Sequence, residues 1–384
     1  MSRIPTRRLV FVLPVLALCC AGAERPALAQ AIRSQQSEGG AAPVKSSRVK
    51  SADDDPRSIM DEPDVPAAGL RIYDRMGAGL PPLPQEKPYE GVVDEAYGAY
   101  QRGLYVTALQ LALARAEQGD ATAQTLVGEM MSQGLGIKRD RKNAAFWYGE
   151  AARRGDPAGM FQYSLLLMDG RDVPRDRALA QDYMRKAAEA GNASAQFNYA
   201  QMVASDNPGD EGLALALPYY EKAADQGLAD AQYAVSQLYV GLESVSAEKK
   251  ALARDYLEKA AAAGHDTAQH DMGVWLIEGI GGDVDYEKGF RWLRVAALRG
   301  NVAAQNKLAL LYVHAIGTRP DPVEAGKWYV LSRRAGLGDD DLEDFFLGIS
   351  DETQEKATEA ANSFAAARRA AMGEARLELR QLTQ

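Results

Sequence analysis

Glycine recurs through this chain at a nearly fixed interval: Gly119, Gly155, Gly191, Gly227, Gly264, Gly300 and Gly336, at steps of 36, 36, 36, 37, 36 and 36 residues. A unit that short cannot bury a core of its own, so such a period marks stacked supersecondary units that cover one another's apolar faces. Other columns keep the same interval. After each glycine come small residues and a glutamine, in "DATAQ" (120–124), "NASAQ" (192–196), "LADAQ" (228–232), "HDTAQ" (265–269) and "NVAAQ" (301–305). The second unit departs with "DPAGM" (156–160). An aromatic column follows at Trp147, Tyr183, Tyr219, Tyr256, Trp292 and Trp328, and four residues later a small one at Ala151, Ala187, Ala223, Ala260, Ala296 and Ser332.

Local chemistry predicts two helices per unit. In the first, Asp120 is an N-cap, and Ala123, Val127, Met130 and Met131 fall at helical spacing to about Ser132. Gly134 and Gly136 end that helix, since glycine adopts the left-handed conformation of a C-terminus without a Cβ penalty. Asp140 caps a second helix whose apolar face is Ala144, Trp147, Tyr148 and Ala151, closed by Gly155. The expectation is an all-α, right-handed α-solenoid of six helix-turn-helix repeats over 119–336, with the aromatic column packed as core between units. A related helix pair over 91–118 caps one end, and capping helices with a tail over 337–384 close the other.

The signature "GDATAQTLVGEMMSQGLGIKRDRKNAAFWYGEAARRG" (119–155) resembles a Sel1-like repeat, a relative of the tetratricopeptide repeat, and it recurs six times. Units five and six, with "WLRVAALRG" (292–300) and "KWYVLSRRAG" (327–336), match well. Units three and four differ where the inter-helix loop should read Gly-x-Gly-Val, having "SDNPGDEG" (205–212) and "GLESVSAE" (241–248). Their loops should therefore differ in shape. The resemblance implies protein–protein adaptors and regulators, many of them exported. Similar periplasmic proteins of alphaproteobacteria include a negative regulator of exopolysaccharide production that restrains a membrane sensor kinase. The partner so implied is another protein, such as a membrane sensor or a cell-envelope protein.

The first thirty residues support export. Arg3, Arg7 and Arg8 precede an apolar run from Leu9 to Cys20, and Ala27-Leu28-Ala29 precedes Gln30, the pattern of a secretory signal (1–29) cleaved after Ala29 into the periplasm. Retention as an N-terminal anchor is the alternative, although the run falls short of the roughly 20 apolar residues of a membrane span. Residues 30–90, with "SADDDPRS", "MDEPDVP" and "LPPLPQEKP", lack an apolar period and read as a disordered tether. Both cysteines, Cys19 and Cys20, fall within the signal, so disulfides and thiol chemistry drop out after cleavage. Four basic residues and one acidic precede Gln30, leaving 40 basic against 52 acidic and a net charge of −12. Nucleic acid is not an expected partner, because binding it requires a basic footprint.

Candidate chemistry is sparse. His265 and His270 are five residues apart, off the i,i+4 spacing of helical metal ligands, and no metal or cofactor is expected. Ser246-Ala247-Glu248-Lys249 and Ser205-Asp206-Asn207 mimic two penicillin-binding motifs, and both fall where inter-helix loops are expected. No K-T-G accompanies them, so Ser246 is expected to be an N-cap and the 205–209 stretch a turn. A β-lactam-active or cell-wall hydrolase using these serines is kept as an alternative function, as is a periplasmic small-molecule or glycan binder. For partner binding the candidates lie on the first helix of each unit, which lines the concave face of related solenoids. One row reads Leu126, Gln162, Asn198, Ala234, Asp271 and Lys307, and another Glu129, Leu165, Gln201, Gln237, Val274 and Leu310. Gln162, Asn198, Asp271, Lys307, Glu129, Gln201 and Gln237 are the residues singled out. Such a variable, polar-studded row is either where a partner is read or an ordinary wetted helix face.

Overall fold

The computed structural model describes residues 94–383, apart from the side chains of 365–371, and the expected signal (1–29) and tether (30–90) lie outside that range. The described residues form seventeen helices. A leading pair, α1 (Glu95–Gln101) and α2 (Tyr105–Glu117), precedes six helix pairs. These are α3 (Ala121–Gln133) with α4 (Arg141–Arg153), α5 (Pro157–Asp169) with α6 (Arg177–Glu189), and α7 (Ala193–Asp206) with α8 (Asp210–Asp225). Next come α9 (Ala229–Gly241) with the broken helix α10 (Ala247–Ala251) and α11 (Ala253–Ala262), then α12 (Asp266–Glu278) with α13 (Tyr286–Arg299), and α14 (Val302–His314) with α15 (Pro322–Arg334). Two helices follow, α16 (Asp340–Gly348) and the 32-residue α17 (Asp351–Leu382). Each first helix packs on its own second helix, and each second helix on the first helix of the next pair.

The caps follow the local rules. Asp120 accepts from the Ala123 N–H at 3.1 Å, and Asp140 from the Asn143 N–H at 3.1 Å. Asp156, Asp176, Asn192, Asp285, Asn301 and Asp321 do the same for their helices. The first helices of repeats one, two and five close on left-handed glycines, Gly134, Gly170 and Gly279. Repeats three and four, whose loop sequences depart, close otherwise: α7 runs through Asp206 to Asn207, and α9 ends on the extended Leu242.

The glutamine column is a buried clamp. Gln124, Gln196, Gln232, Gln269 and Gln305 are each under 8% exposed. Each donates its side-chain N–H to the carbonyl eight residues earlier, at the end of the preceding second helix: Ala116, Ala188, Ala224, Ala261 and Ala297, at 3.0 to 3.2 Å. A carbonyl in the last turn of a helix has no i+4 partner, and the glutamine supplies a donor across the repeat boundary. In repeat two that position is Met160, which packs instead. Small residues on the first helices, Gly128, Ser164, Ala200, Ser236, Gly273 and Ala309, let the second helix approach. A Cβ at Gly128 would lie 2.9 Å from the Tyr148 ring, and one at Gly273 2.6 Å from Leu293.

The aromatic column is placed differently from the sequence expectation. Only Trp292 and Trp328 are fully buried, whereas Trp147, Tyr183, Tyr219 and Tyr256 are half-buried. The inward column sits one residue later, at Tyr148, Met184, Tyr220, Leu257, Leu293 and Tyr329. The reason is rotational: on α4 the buried arc takes in Ala144, Ala145, Tyr148, Gly149, Ala151 and Ala152, and at 3.6 residues per turn Tyr148 falls near its centre while Trp147 falls outside it. Trp292 and Trp328 are closed because α17 crosses α13 and α15. Ala357 packs beside Gly326, where an added Cβ would stand 2.8 Å away, and Phe364 meets Trp328 edge-on at 5.4 Å. Arg294 donates to Glu378 at 2.5 Å and also pairs with Glu374, while Arg291 reaches Glu378 at 3.3 Å and Gln381 at 3.0 Å. The buried core is not uniform along the array. One cluster joins α1–α4, a second runs from Ala152 to Ala195, and a third extends from Ala200 to Leu382.

Candidate functional site

With the Ala123-type, glutamine and small columns all turned inward, each first helix leaves two rows facing outward. Leu126, Gln162, Asn198, Ala234, Asp271 and Lys307 are all half-buried. In the second row Glu129, Leu165, Gln237, Val274 and Leu310 are half-buried and Gln201 is exposed. The candidate residues thus share one face of successive helices, one group per repeat. Their side chains divide into two kinds.

Some are engaged within the chain. Glu129 accepts from the Tyr148 hydroxyl at 2.6 Å and from the Gln133 amide. Burial, followed by that bond to Glu129, drives the Tyr148 hydroxyl far above its ordinary pKa, so it remains a donor. Asp271 is the centre of a polar network spanning repeats four and five. It accepts from the Tyr233 hydroxyl at 2.9 Å and the Gln237 amide at 3.5 Å, and His270 Nδ1 lies 2.8 Å away. Burial first, then the Asp271 charge, pushes the Tyr233 hydroxyl up and keeps it protonated. Tyr233 also stacks on His265 at 4.6 Å. Glu129, Asp271 and Gln237 therefore have structural work to do in addition to any contact they make outside.

The others are less committed. Asn198 donates to the Ser194 carbonyl of its own helix at 2.8 Å, and Lys307 stands 3.8 Å from Glu278. Gln162 and Gln201 point from the same face with no side-chain bond described. These four are the adaptable part of the surface.

The loop serines do not assemble a nucleophile with its base. Ser246 is an N-cap, its Oγ accepting from the Lys249 backbone N–H at 3.4 Å, and the Lys249 ammonium points away to Glu221 at 2.5 Å. Ser205 and Asp206 are not in a loop at all; they form the last turn of α7, a correction that follows from the longer first helix of repeat three. His265 is neither a ligand nor a simple surface residue. Its Nδ1 accepts from the Ala268 N–H at 3.1 Å, so it caps α12 where other repeats use Asp or Asn. No group of three or more His, Cys, Asp or Glu among the described residues is placed to hold a metal ion. No helix among them is long and apolar enough to cross a membrane.

Two features escaped the sequence reading. A depression of about 630 Å³ lies at the inter-helix loop of repeat one, lined by Met131, Ile137, Lys138, Arg139, Arg141 and Lys142 among others. The run "IKRDRK" signals it by charge alone. The second is a row of exposed leucines, Leu179 and Leu215 on second helices and Leu252 in the turn between α10 and α11, at steps of 36 and 37 residues.

The profile of the Sel1 repeat matches six times in succession, at residues 121–156, 157–192, 193–228, 229–265, 266–301 and 302–337. No curated protein sequence matches the chain. Among solved structures it is similar to c5321, a protective antigen of uropathogenic Escherichia coli strains with this repeat fold, at 23% identity and a TM-score of 0.58. That similarity covers 73% of this chain and 63% of the E. coli protein, so the chain spans under two thirds of that relative's length. It is also similar to a Sel1 repeat protein from Oxalobacter formigenes, at 28% identity and a TM-score of 0.53, over 64% of this chain and all of the other. Six contiguous profile matches over more than half of the sequence, on six helix pairs of which five are clamped by one glutamine column, make this chain a member of the Sel1 repeat family.

Proposed function

We propose that this protein is an exported adaptor or regulator that binds another protein of the cell envelope through the face lined by its first helices, without chemistry of its own. Sel1 repeats generally mediate protein interaction, which supports the mode of action. One observation carries the choice of surface: between buried columns that repeat faithfully from unit to unit lie two outward rows that do not repeat, running from leucine through glutamine and asparagine to aspartate and lysine. Packing would hold such a row constant if packing were its purpose; variation at fixed spacing is what reading a partner's particular shape requires. Export rests on the basic tip, apolar run and Ala-Leu-Ala of the first 29 residues.

The test is in-cell crosslinking from a photoreactive residue placed at Asn198, compared with one at the exposed Lys138 in an inter-helix loop. A defined envelope protein should be captured from position 198 alone. Replacing Gln162, Asn198, Gln201 and Lys307 together by alanine should abolish that capture with helicity unchanged, since none of the four is buried. Asp271 is left intact, because its loss would break the bond to Tyr233 and confound binding with stability. Undiminished capture by the quadruple variant refutes the assignment.

A further inference from the structure

The crossing of α13 and α15 by α17 shows what the outer face of a second helix in this array can hold. The face is made of four positions, counted from the aromatic column as −4, −1, 0 and +3, which lie on one side of a helix. In repeat five they are Lys288, Arg291, Trp292 and Val295, and in repeat six Glu324, Lys327, Trp328 and Leu331. There α17 sets Phe364 against Trp328 and Glu378 against Arg291, and Glu374 and Glu378 also pair with Arg294 beside that face.

In repeats two, three and four the same four positions read Leu179, Asp182, Tyr183, Lys186; Leu215, Pro218, Tyr219, Lys222; and Leu252, Asp255, Tyr256, Lys259. No helix covers them among the described residues, and Leu179, Leu215 and Leu252 stand 37%, 54% and 45% exposed. The tyrosines beside them are half-buried, and each carries its lysine over the ring at 5.8, 5.6 and 5.0 Å. Repeats five and six, which are covered, replace those lysines by Val295 and Leu331 and the tyrosines by tryptophans. The chemistry thus changes at the edge of the α17 seat: beneath it the 0 and +3 positions are apolar and the −4 and −1 positions charged, whereas beyond it a leucine takes the −4 position and a lysine the +3 position. A tyrosine with a lysine on its face tolerates both water and a partner, which a buried tryptophan beside valine does not.

We propose that the leucine–tyrosine ladder of α6, α8 and α11 is a second docking surface, continuous with the α17 seat, and that its occupant is an amphipathic helix of another protein with an alanine–leucine–phenylalanine stripe flanked by glutamates. The stripe meets the leucines and tyrosines, and the glutamates meet Lys222 and Lys259 as Glu374 and Glu378 meet Arg294. Asp182 and Asp255 make the ladder less basic than the seat of α17, so apolar contact supplies most of the affinity and salt dependence is slight. This surface is distinct from the first-helix rows and does not depend on them.

The probe is a synthetic peptide of residues 351–382, the one helix of this type already seen on such a face, carrying a photoreactive group at the Phe364 position and added to the intact full chain. It should bind and crosslink to α6, α8 or α11. Leu215→Glu with Leu252→Glu should weaken it at least tenfold; both leucines are exposed, so the fold should survive, and an unchanged melting temperature checks this. Lys222→Glu with Lys259→Glu should weaken the peptide by a smaller factor and favour a version carrying Lys at positions 374 and 378. Absence of binding, crosslinks confined to α13 and α15 through exchange with the resident helix, or binding indifferent to the leucine substitutions would each overturn the proposal.

Discussion

Replacing Gln269 separates two contributions that the glutamine clamp combines. The side chain is fully buried; its Nε2 donates to the Ala261 carbonyl at 3.0 Å, and its Oε1 has no partner among the described residues. The Ala261 carbonyl keeps a second bond, from the Gly264 N–H at 3.0 Å, whether or not the glutamine is present. Gln269→Ala forfeits one hydrogen bond, about 1 kcal/mol, and leaves a cavity worth about 2 kcal/mol more, offset by about 1 kcal/mol from losing the unpaired Oε1, for a net loss of about 2 kcal/mol. Gln269→Met forfeits the same bond but fills the space and removes an unpaired buried oxygen that itself costs about 1 kcal/mol, so the net change should stay within about 1 kcal/mol. Repeat two already carries this arrangement in Met160. The measurement is urea unfolding followed by circular dichroism, with amide exchange at Gly264 and Ala268 as a local readout, since a linear array need not unfold in two states. At about 1.4 kcal/mol per decade, the alanine variant should open at the repeat four–five boundary roughly thirtyfold more often than the methionine one. Equal losses in the two variants would refute the reasoning, because they would mean that the hydrogen bond and not the packing carries the clamp.

Two further outcomes follow from backbone geometry and from burial. Gly317 has φ +68 and an added Cβ would stand 2.0 Å from the Tyr286 carbonyl oxygen, whereas Gly155 has φ +88 with nothing within 4 Å; Gly317→Ala should therefore cost more than about 3 kcal/mol and Gly155→Ala about 1 kcal/mol, read as thermal shifts. Burial pushes the Tyr220 hydroxyl up to about 12 from its ordinary 10. A folded-state pKa raised in this way gives stability that is complete below pH 10 and is lost as pH climbs toward 12. Tyr220→Phe should lose less stability than the parent across that alkaline window, and parallel losses would show that Tyr220 does not titrate with unfolding.

Much of the fold was legible in the sequence because the repeat is written six times. The 36-residue step, the Asp120 and Asp140 caps and the Gly134 terminus all follow from local chemistry, and the structure places them as expected. What escaped is rotational and long-range. The aromatic column is conspicuous by residue type, yet the inward position is the next residue, where Tyr, Met and Leu alternate and the column is harder to see. Whether an aromatic is core also depends on a helix more than fifty residues away in sequence, since α17 closes Trp292 but leaves Tyr183 half-open. The glutamine column was visible as a repeated letter, but its bond to a carbonyl eight residues back requires knowing that a helix ends there. For the candidate surface, the sequence located the outward rows but could not tell Asp271 and Glu129, which are tied to tyrosines inside the chain, from Asn198 and Lys307, which face out.

Met160 has a consequence for how the array comes apart. It is the one place in six repeats where no side chain reaches back to hold the preceding helix end, and the buried core is also interrupted near it, with one cluster ending at Tyr148 and the next beginning at Ala152. At the opposite end, ion pairs and a tryptophan seat strap the last two units to α17. A chain fastened tail-first unzips from its head: the leading pair and the first repeat form the segment that can detach and rejoin while the rest stays ordered. A partner that grips both sides of this seam would act as a splint, and one that grips only the head would act as a lever.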